Sequence, residues 1–179
     1  MTLGVVEAGE FTKALINLEP GTDVYFRGPY GNPVIFPDDV KVVLVGGGSG
    51  FAAFYHMARD FKNVEVVVGA RDKDHLFYIE ETEKHAPVHI ATEDGSSGTK
   101  GYVTEILKKF EKKEGEEIIF LNCGPPAMIK PVIEIEKKIT DKIFSSIEYV
   151  TKCGVGLCGA CSDRHGRRLC VDGPFLEEL

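Results

Sequence analysis

The sequence predicts an α/β chain: a five-stranded parallel sheet preceded by a short β-rich stretch and followed by a small cysteine-bearing lobe. Three observations predict it. Between residues 41 and 151, β-branched runs alternate with segments of helical length, which implies right-handed βαβ crossovers and a parallel sheet. The first run, Lys41-Val42-Val43-Leu44-Val45, is continuously apolar after its lysine, as a strand covered on both faces should be, and it empties into Gly46-Gly47-Gly48-Ser49-Gly50. Four of the five cysteines fall beyond residue 152.

The totals set bounds on this architecture. A chain of 179 residues holds one full domain and part of a second. Hydrophobic content is 43%, with no run near the ~20 apolar residues of a membrane span. A net charge of −7 argues against nucleic acid and against anionic membrane surfaces as partners. The N-terminus carries no signal or transit pattern, so the cytoplasm is the expected compartment.

Each element follows from local pattern. Residues 1–40 read as short strands and turns, with apolar stretches at Ala14–Leu18 and Val24–Arg27 separated by Glu19-Pro20-Gly21 and followed by Gly28-Pro29-Tyr30-Gly31-Asn32-Pro33. These forty residues are too few to bury a core alone. Within residues 41–151, strands are expected at 41–45, 64–68, 88–92, 118–121 and 146–150. Helices are expected at about 51–61, 74–84, 102–113 and 126–139. In residues 152–179, His165-Gly166 can turn a hairpin that brings Cys170 back to the other cysteines.

The tail carries the most specific chemistry. Cys153-x4-Cys158-x2-Cys161-x8-Cys170 has the C-x4-C-x2-C…C spacing of plant-type [2Fe–2S] ligation. The intervening Gly154, Gly156, Gly159 and Ala160 let the backbone wrap a bulky inorganic core and aim its amides at sulfur. A four-cysteine zinc site normally pairs two C-x2-C knuckles, and only Cys158 and Cys161 fit that pattern. Structural disulfides suit a small, cysteine-dense secreted domain, which this chain does not resemble.

The glycine turn is the second signal. A strand opening through Gly48-x-Gly50-x-x-Ala53 into a helix fits the dinucleotide fingerprint, although a Gly-rich βα turn can also serve packing alone. At the end of the second strand, Arg71 can meet a 2′-phosphate or stack on adenine, so NADH and NADPH both stay open. Asp72 or Asp74 can accept from a ribose hydroxyl, or Asp74 can cap the next helix. Cys123 stands at the carboxyl end of the fourth strand, where such sheets bind ligands; a thiol beside a nicotinamide ring and an inert buried cysteine are both consistent with that place. His56, His75, His85, His89 and His165 show no metal-ligand spacing and receive no role.

In this order the motifs resemble the ferredoxin–NADP reductase superfamily, and within it the electron-transfer subunits of type B dihydroorotate dehydrogenases. The similar stretches are Arg27-Gly28-Pro29-Tyr30-Gly31, Val45–Gly50, Gly69-Ala70-Arg71, Glu93-Asp94-Gly95-Ser96 with Gly101, Cys123–Met128, and the tail from Lys152 to Pro174. The resemblance implies that NADH exchanges a hydride with FAD. It also implies that a [2Fe–2S] cluster on Cys153, Cys158, Cys161 and Cys170 exchanges electrons with the FMN of a separate dihydroorotate dehydrogenase catalytic subunit, in pyrimidine biosynthesis. Gly46, Gly47, Gly48, Ser49 and Gly50 would then hold pyrophosphate, with Cys123, Gly124 and Pro125 beside the nicotinamide. The implied division is a partial FAD-binding β-barrel at 1–40, an NAD(P)-binding domain at 41–151 and the cluster lobe at 152–179.

One departure accompanies the resemblance. The family's Arg-x-x-Ser-type flavin motif has no counterpart here. Gly9-Glu10-Phe11-Thr12 stands for its Gly-x-Gly-Thr, with Phe11 where glycine is usual and Thr12 as the possible flavin contact. The favoured expectation is that this chain starts inside the longer family pattern; a separate chain supplying the rest and a flavin-free variant are the alternatives. Two rivals differ in function. One is the small subunit of a sulfide dehydrogenase or NADH-dependent ferredoxin–NADP oxidoreductase, in which aspartate often takes the place of Cys153. The other is a non-catalytic redox sensor that binds a nucleotide or zinc.

Overall fold

The structure is a computed structural model that describes residues 4–147 and 150–178. Its β-branched runs pair into one seven-stranded sheet, made of β1 (Lys41–Gly47), β2 (Val64–Ala70), β3 (Val88–Thr92), β4 (Thr99–Lys100), β5 (Ile118–Gly124), β6 (Ile143–Ile147) and β7 (Leu176–Glu177). The spatial order is β4-β3-β2-β1-β5-β6-β7; every neighbouring pair is parallel except β6 and β7. The five expected strands are its core. Two-residue edge strands β4 and β7 complete it, each too short to show an alternation. The fifth expected strand begins three residues earlier than 146–150, and residues 148 and 149 lie outside the described residues. Its start is set by Ile143, buried opposite Phe120, while Ser145 and Ser146 dilute the apolar pattern that would have marked it.

The central strand is covered on both faces, as its composition predicts. Val42 and Leu44 pack with Phe51, Phe54, Val66 and Val68. Val43 and Val45 pack on the opposite side with Val67, Val103, Leu107, Phe120 and Val132. Period-two alternation along one strand thus feeds two separate cores.

The helices are shorter than the periodicity predicts. Residues 4–40 depart most: a helix, α1 (Glu10–Ile16), stands where a strand was expected at Ala14–Leu18, and no strand occurs among the described residues of this stretch. The Thr12 hydroxyl accepts from the Ala8 and Gly9 N–H groups and donates to the Gly9 carbonyl, while Asn17 Nδ2 donates to the Lys13 carbonyl. These local bonds satisfy a helix, whereas a strand here has no paired neighbour to bond. Val34, Phe36 and Val40, at the end of the stretch, already belong to the sheet's core.

After β1, a tight 3₁₀ turn (Gly48–Ala53) leads into α2 (Phe54–Asp60). The expected helix 74–84 breaks at Tyr78, whose φ of 55° is left-handed, leaving α3 (Ile79–Glu83). α4 (Val103–Leu107) ends where Phe110 turns in to meet Phe120 edge-on. α5 (Pro126–Glu136) runs nearly its full expected length, and α6 (Leu169–Asp172) carries Cys170.

Candidate functional site

The strand order reverses between β1 and β5, so the connections that leave their carboxyl ends run toward opposite halves of the sheet, a topological switch point. There Gly46 lies opposite Cys123. Backbone approaches backbone so closely that a Cβ on Gly50 would sit 2.5 Å from the Cys123 carbonyl oxygen. Gly48 takes φ 54°, a conformation glycine adopts without strain. The result is a cleft of about 680 Å³, within the usual range for a ligand site. Gly47, Gly48, Gly69, Arg71 and Tyr102 line one side; Pro125, Ala127, Met128 and Pro131 of the α5 start line the other. The amino end of α5 thus turns its partial positive charge toward the cleft.

Polar loops shape the rim. Asp72 Oδ1 accepts from the Asp74 and His75 N–H groups at 2.9 and 3.2 Å and pairs with His75 Nδ1 at 2.6 Å. The His75 contact holds the Asp72 carboxyl below the usual carboxylate range. Asp72, not Asp74, therefore caps the short 3₁₀ turn Lys73–His75 that precedes α3, and neither aspartate lines the cleft. Ser96 Oγ accepts from the Lys73 N–H and donates to Asp94, knitting the loop after β3 to the loop after β2.

The cysteine lobe follows from its glycines. Gly154 and Gly156 have φ 73° and 77°, left-handed turns that fold the Cys153–Cys161 loop on itself. Its amides point inward: the Cys158 N–H donates to Cys153 Sγ at 3.4 Å. That bond first, and the Val155 N–H second, pull the Cys153 thiol down to about 6. Cys161 and Cys170 are buried with their sulfurs 3.4 Å apart. The Cys170 N–H lowers the Cys161 thiol, while burial raises that of Cys170. The predicted return hairpin is present: Gly166 N–H closes on the Asp163 carbonyl, Ser162 bridges Arg168, and Asp163 pairs with Arg167 at 2.7 Å. Among the described residues no three metal-binding side chains converge on one point; Cys161 and Cys170 form one sulfur–sulfur pair, and Cys153 is hydrogen-bonded by Cys158.

Comparison with known proteins bears on both parts of the molecule. Residues 44–134 match the oxidoreductase NAD-binding domain, and residues 148–178 match the iron–sulfur cluster binding domain of dihydroorotate dehydrogenase B. A probable dihydroorotate dehydrogenase B (NAD(+)) electron transfer subunit of Methanocaldococcus jannaschii is 37% identical over 98% of this chain and 69% of its own length. The chain belongs to this family of electron-transfer subunits. A relative of the same name from Thermococcus kodakarensis is 37% identical over 97% of this chain and 73% of its own, and one from Fusobacterium nucleatum 31% over 93% and 68%. A solved structure of an NADH-dependent reduced ferredoxin–NADP oxidoreductase, described for flavin-based electron bifurcation, superposes with TM-score 0.82 at 33% identity, over 96% of this chain and 65% of that one.

As a dihydroorotate dehydrogenase B-type subunit, the chain is an oxidoreductase component with a NAD-binding domain and an iron–sulfur lobe. No helix among the described residues is long and apolar enough to cross a membrane. Of the residues expected at the nucleotide, Gly47, Gly48, Arg71 and Pro125 line the cleft. Gly46, Ser49, Gly50, Cys123 and Gly124 do not. Gly46 backs onto Phe51, Gly50 is pressed against Cys123, and Gly124 packs beneath Met128, so these glycines build the floor. Cys123 is half-buried against the α2-side core. Thr12 is engaged within α1 and also lies outside the cleft. His75, Glu93, Tyr102, Thr104 and Met128 line it without having been assigned roles. Of these, only Glu93 and Met128 fall in stretches that carried the family resemblance.

Proposed function

We propose that this chain passes electrons between a nicotinamide nucleotide, bound in the 680 Å³ cleft, and the FMN of a dihydroorotate dehydrogenase catalytic subunit. FAD and a [2Fe–2S] cluster on Cys153, Cys158, Cys161 and Cys170 would be its carriers. The observation that carries the reading is the arrangement of the four cysteines: the Cys161 and Cys170 sulfurs lie 3.4 Å apart, and Cys153 Sγ is bonded by both the backbone and the side chain of Cys158. A two-iron centre asks for two thiolates on each iron, whereas one zinc ion asks for four converging sulfurs. The depressed Cys153 thiol supplies thiolate at neutral pH, the form that binds metal. When bound, the flavin converts hydride pairs to single electrons, which the cluster carries one at a time.

The chain's own residues then have separate tasks. Gly47 and Gly48 bring backbone to the pyrophosphate, and the α5 start, whose Pro125 and Pro126 carry no N–H, offers negative charge the positive end of its dipole. Arg71, exposed at the rim, meets the adenosine end of NAD(H), or the phosphate of NADP(H). Pro125, backed by Gly124 and Cys123, borders the nicotinamide end. Residues 41–151 act as the nucleotide domain and 152–179 as the cluster lobe, with 1–40 as the flavin-side portion and Thr12 its candidate contact. The cytoplasm is the proposed compartment, since cluster assembly needs reduced thiols.

Co-purification tests the partner. Anaerobic capture of the tagged full chain from its host should bring down an FMN-bearing subunit that reduces the chain's visible chromophore with dihydroorotate. A chain that emerges alone, and is not reduced by dihydroorotate when that subunit is added, contradicts the reading. The 33% identity to the ferredoxin–NADP oxidoreductase chain favours a second reading, that family's small subunit. Capture of a ferredoxin-linked partner instead of an FMN-bearing one would select it.

A further inference from the structure

The segment leading into β1 grips both ends of the cysteine lobe. At the first cysteine, the Tyr30 ring rests on Gly154: a Cβ there would lie 2.4 Å from Tyr30 Cζ and 2.8 Å from its hydroxyl oxygen. The Arg27 guanidinium lies over the same ring, 5.8 Å from its centroid, and Arg27 Nη2 donates to the Lys152 carbonyl, 125 residues along the chain. At the last cysteine, the Gly31 N–H donates to the Cys170 carbonyl at 3.0 Å and the Asn32 N–H to the Gly173 carbonyl at 2.5 Å. Asn32 Nδ2 adds a bond to the Val171 carbonyl at 3.0 Å. The fit is close enough that a Cβ on Gly31 would meet the Gly173 oxygen at 2.1 Å.

We infer that Tyr30 and Asn32 are positioning residues for the iron–sulfur site, a clasp that fixes the outer two cysteines, Cys153 and Cys170, relative to each other. From outside the lobe, the 27–32 segment adds to the bond of Arg168 Nη1 with the Gly156 carbonyl (2.8 Å), which joins the two turns within the lobe. Its loop is glycine-rich, Leu157 and Val155 point into solvent, and α6 has only four residues. The Cys153 turn and the Cys170 turn each meet the 27–32 segment, so Arg27, Tyr30, Gly31 and Asn32 tie both to one short stretch of chain. Partners that orient metal ligands without touching the metal are typically worth about 10–100-fold in metal affinity. The inference rests on the four cysteines being the ligands.

The test is iron loss to a chelator, followed by visible absorption on anaerobically purified full-length chain. Tyr30→Ala and Asn32→Ala should each speed release roughly 10–100-fold and shift the visible circular dichroism of the cluster, while NADH titration stays at the wild-type value. Tyr30→Phe keeps the ring on Gly154 and should restore the wild-type rate. Gly154→Ala supplies an independent route if Tyr30→Ala misfolds. Its methyl group runs into the ring, and its φ of 73° adds a strain that Tyr30 does not relieve, so it should lose iron quickly in the wild-type background, and combining it with Tyr30→Ala should add less than the two single effects together. Strictly additive effects, or wild-type release rates in both alanine variants, overturn the clasp. Cys158→Ser separates this from the ligand reading. If that variant keeps an unaltered cluster, the ligand set is wrong; if it loses the cluster while the clasp variants behave as wild type, only the clasp is wrong.

Discussion

Glu136→Gln should flatten the pH dependence of stability. Glu136 is the last residue of α5 and is fully buried. Asn122 Nδ2 donates to its Oε2 at 2.7 Å, but Oε1 and Asn122 Oδ1 have no partner among the described residues. Burial pushes the carboxyl up to about 8; the Asn122 bond opposes this and the negative charge of Glu178 adds to it. In the unfolded chain the same group titrates near 4.5. Between these values the native state holds a proton that the unfolded state has released. Its contribution to stability is therefore fully present below pH 4.5 and is lost as pH rises through about 8. At 1.36 kcal/mol per unit the interval amounts to about 5 kcal/mol, a large share of the ~5–15 kcal/mol that a domain has. Glutamine keeps an oxygen for Asn122 Nδ2 and brings a donor that Asn122 Oδ1 can accept. The assay is denaturant unfolding of variant and wild type at pH 5, 7 and 9 in the same cofactor state, so that contributions from the cysteines cancel. The two should be close at pH 5, with the variant ahead by several kcal/mol at pH 9. Parallel curves across that range would refute the buried neutral acid.

The nucleotide side gives two further expectations. Gly50→Ala drives a methyl group into the Cys123 carbonyl and the Gly124 nitrogen, fixed backbone that cannot swing aside; it should cost about 1–3 kcal/mol, read as a lower melting temperature, and weaken NADH binding. A fully stable variant with normal binding would mean that the β1 and β5 ends are not so tightly apposed. Arg71→Ala leaves the fold intact, because Arg71 is exposed at the rim. It should raise the dissociation constant for the preferred nucleotide by about tenfold, the worth of one charged hydrogen bond, and unchanged binding of both NADH and NADPH would remove Arg71 from the site.

Much of this was legible in the residues. Strands β1, β2 and β5 are dense in Val, Ile and Leu because both faces are covered, and such runs need no context to be seen. The glycine turn was equally plain, since close backbone approach is written in residue type, and the cysteine spacing lies in the stretch that matches the iron–sulfur cluster binding domain. What was not legible depends on contacts that residue type does not show, some local and some distant in sequence. The Ala14–Leu18 stretch suits strand or helix, and the Thr12 and Asn17 side chains, together with the lack of a neighbouring strand, decide for helix. Tyr78 breaks the expected helix by adopting a left-handed conformation that its residue type does not advertise. Glu136 looks like one more charge on the Glu–Lys end of α5, and only the packing of β5 and β6 beneath it shows that it is buried. His75 reaches the cleft through a bond to Asp72 that no metal spacing would reveal. Tyr30 and Asn32 sit in a stretch that reads as a turn, and their contacts lie well over a hundred residues away.

Metal analysis of the anaerobically purified chain tests the central claim most directly. Iron and acid-labile sulfide should each be present at two per chain, as a [2Fe–2S] centre requires, with visible absorption that bleaches on reduction and disappears in Cys158→Ser. Stoichiometric zinc, with no iron and no colour, would contradict the account.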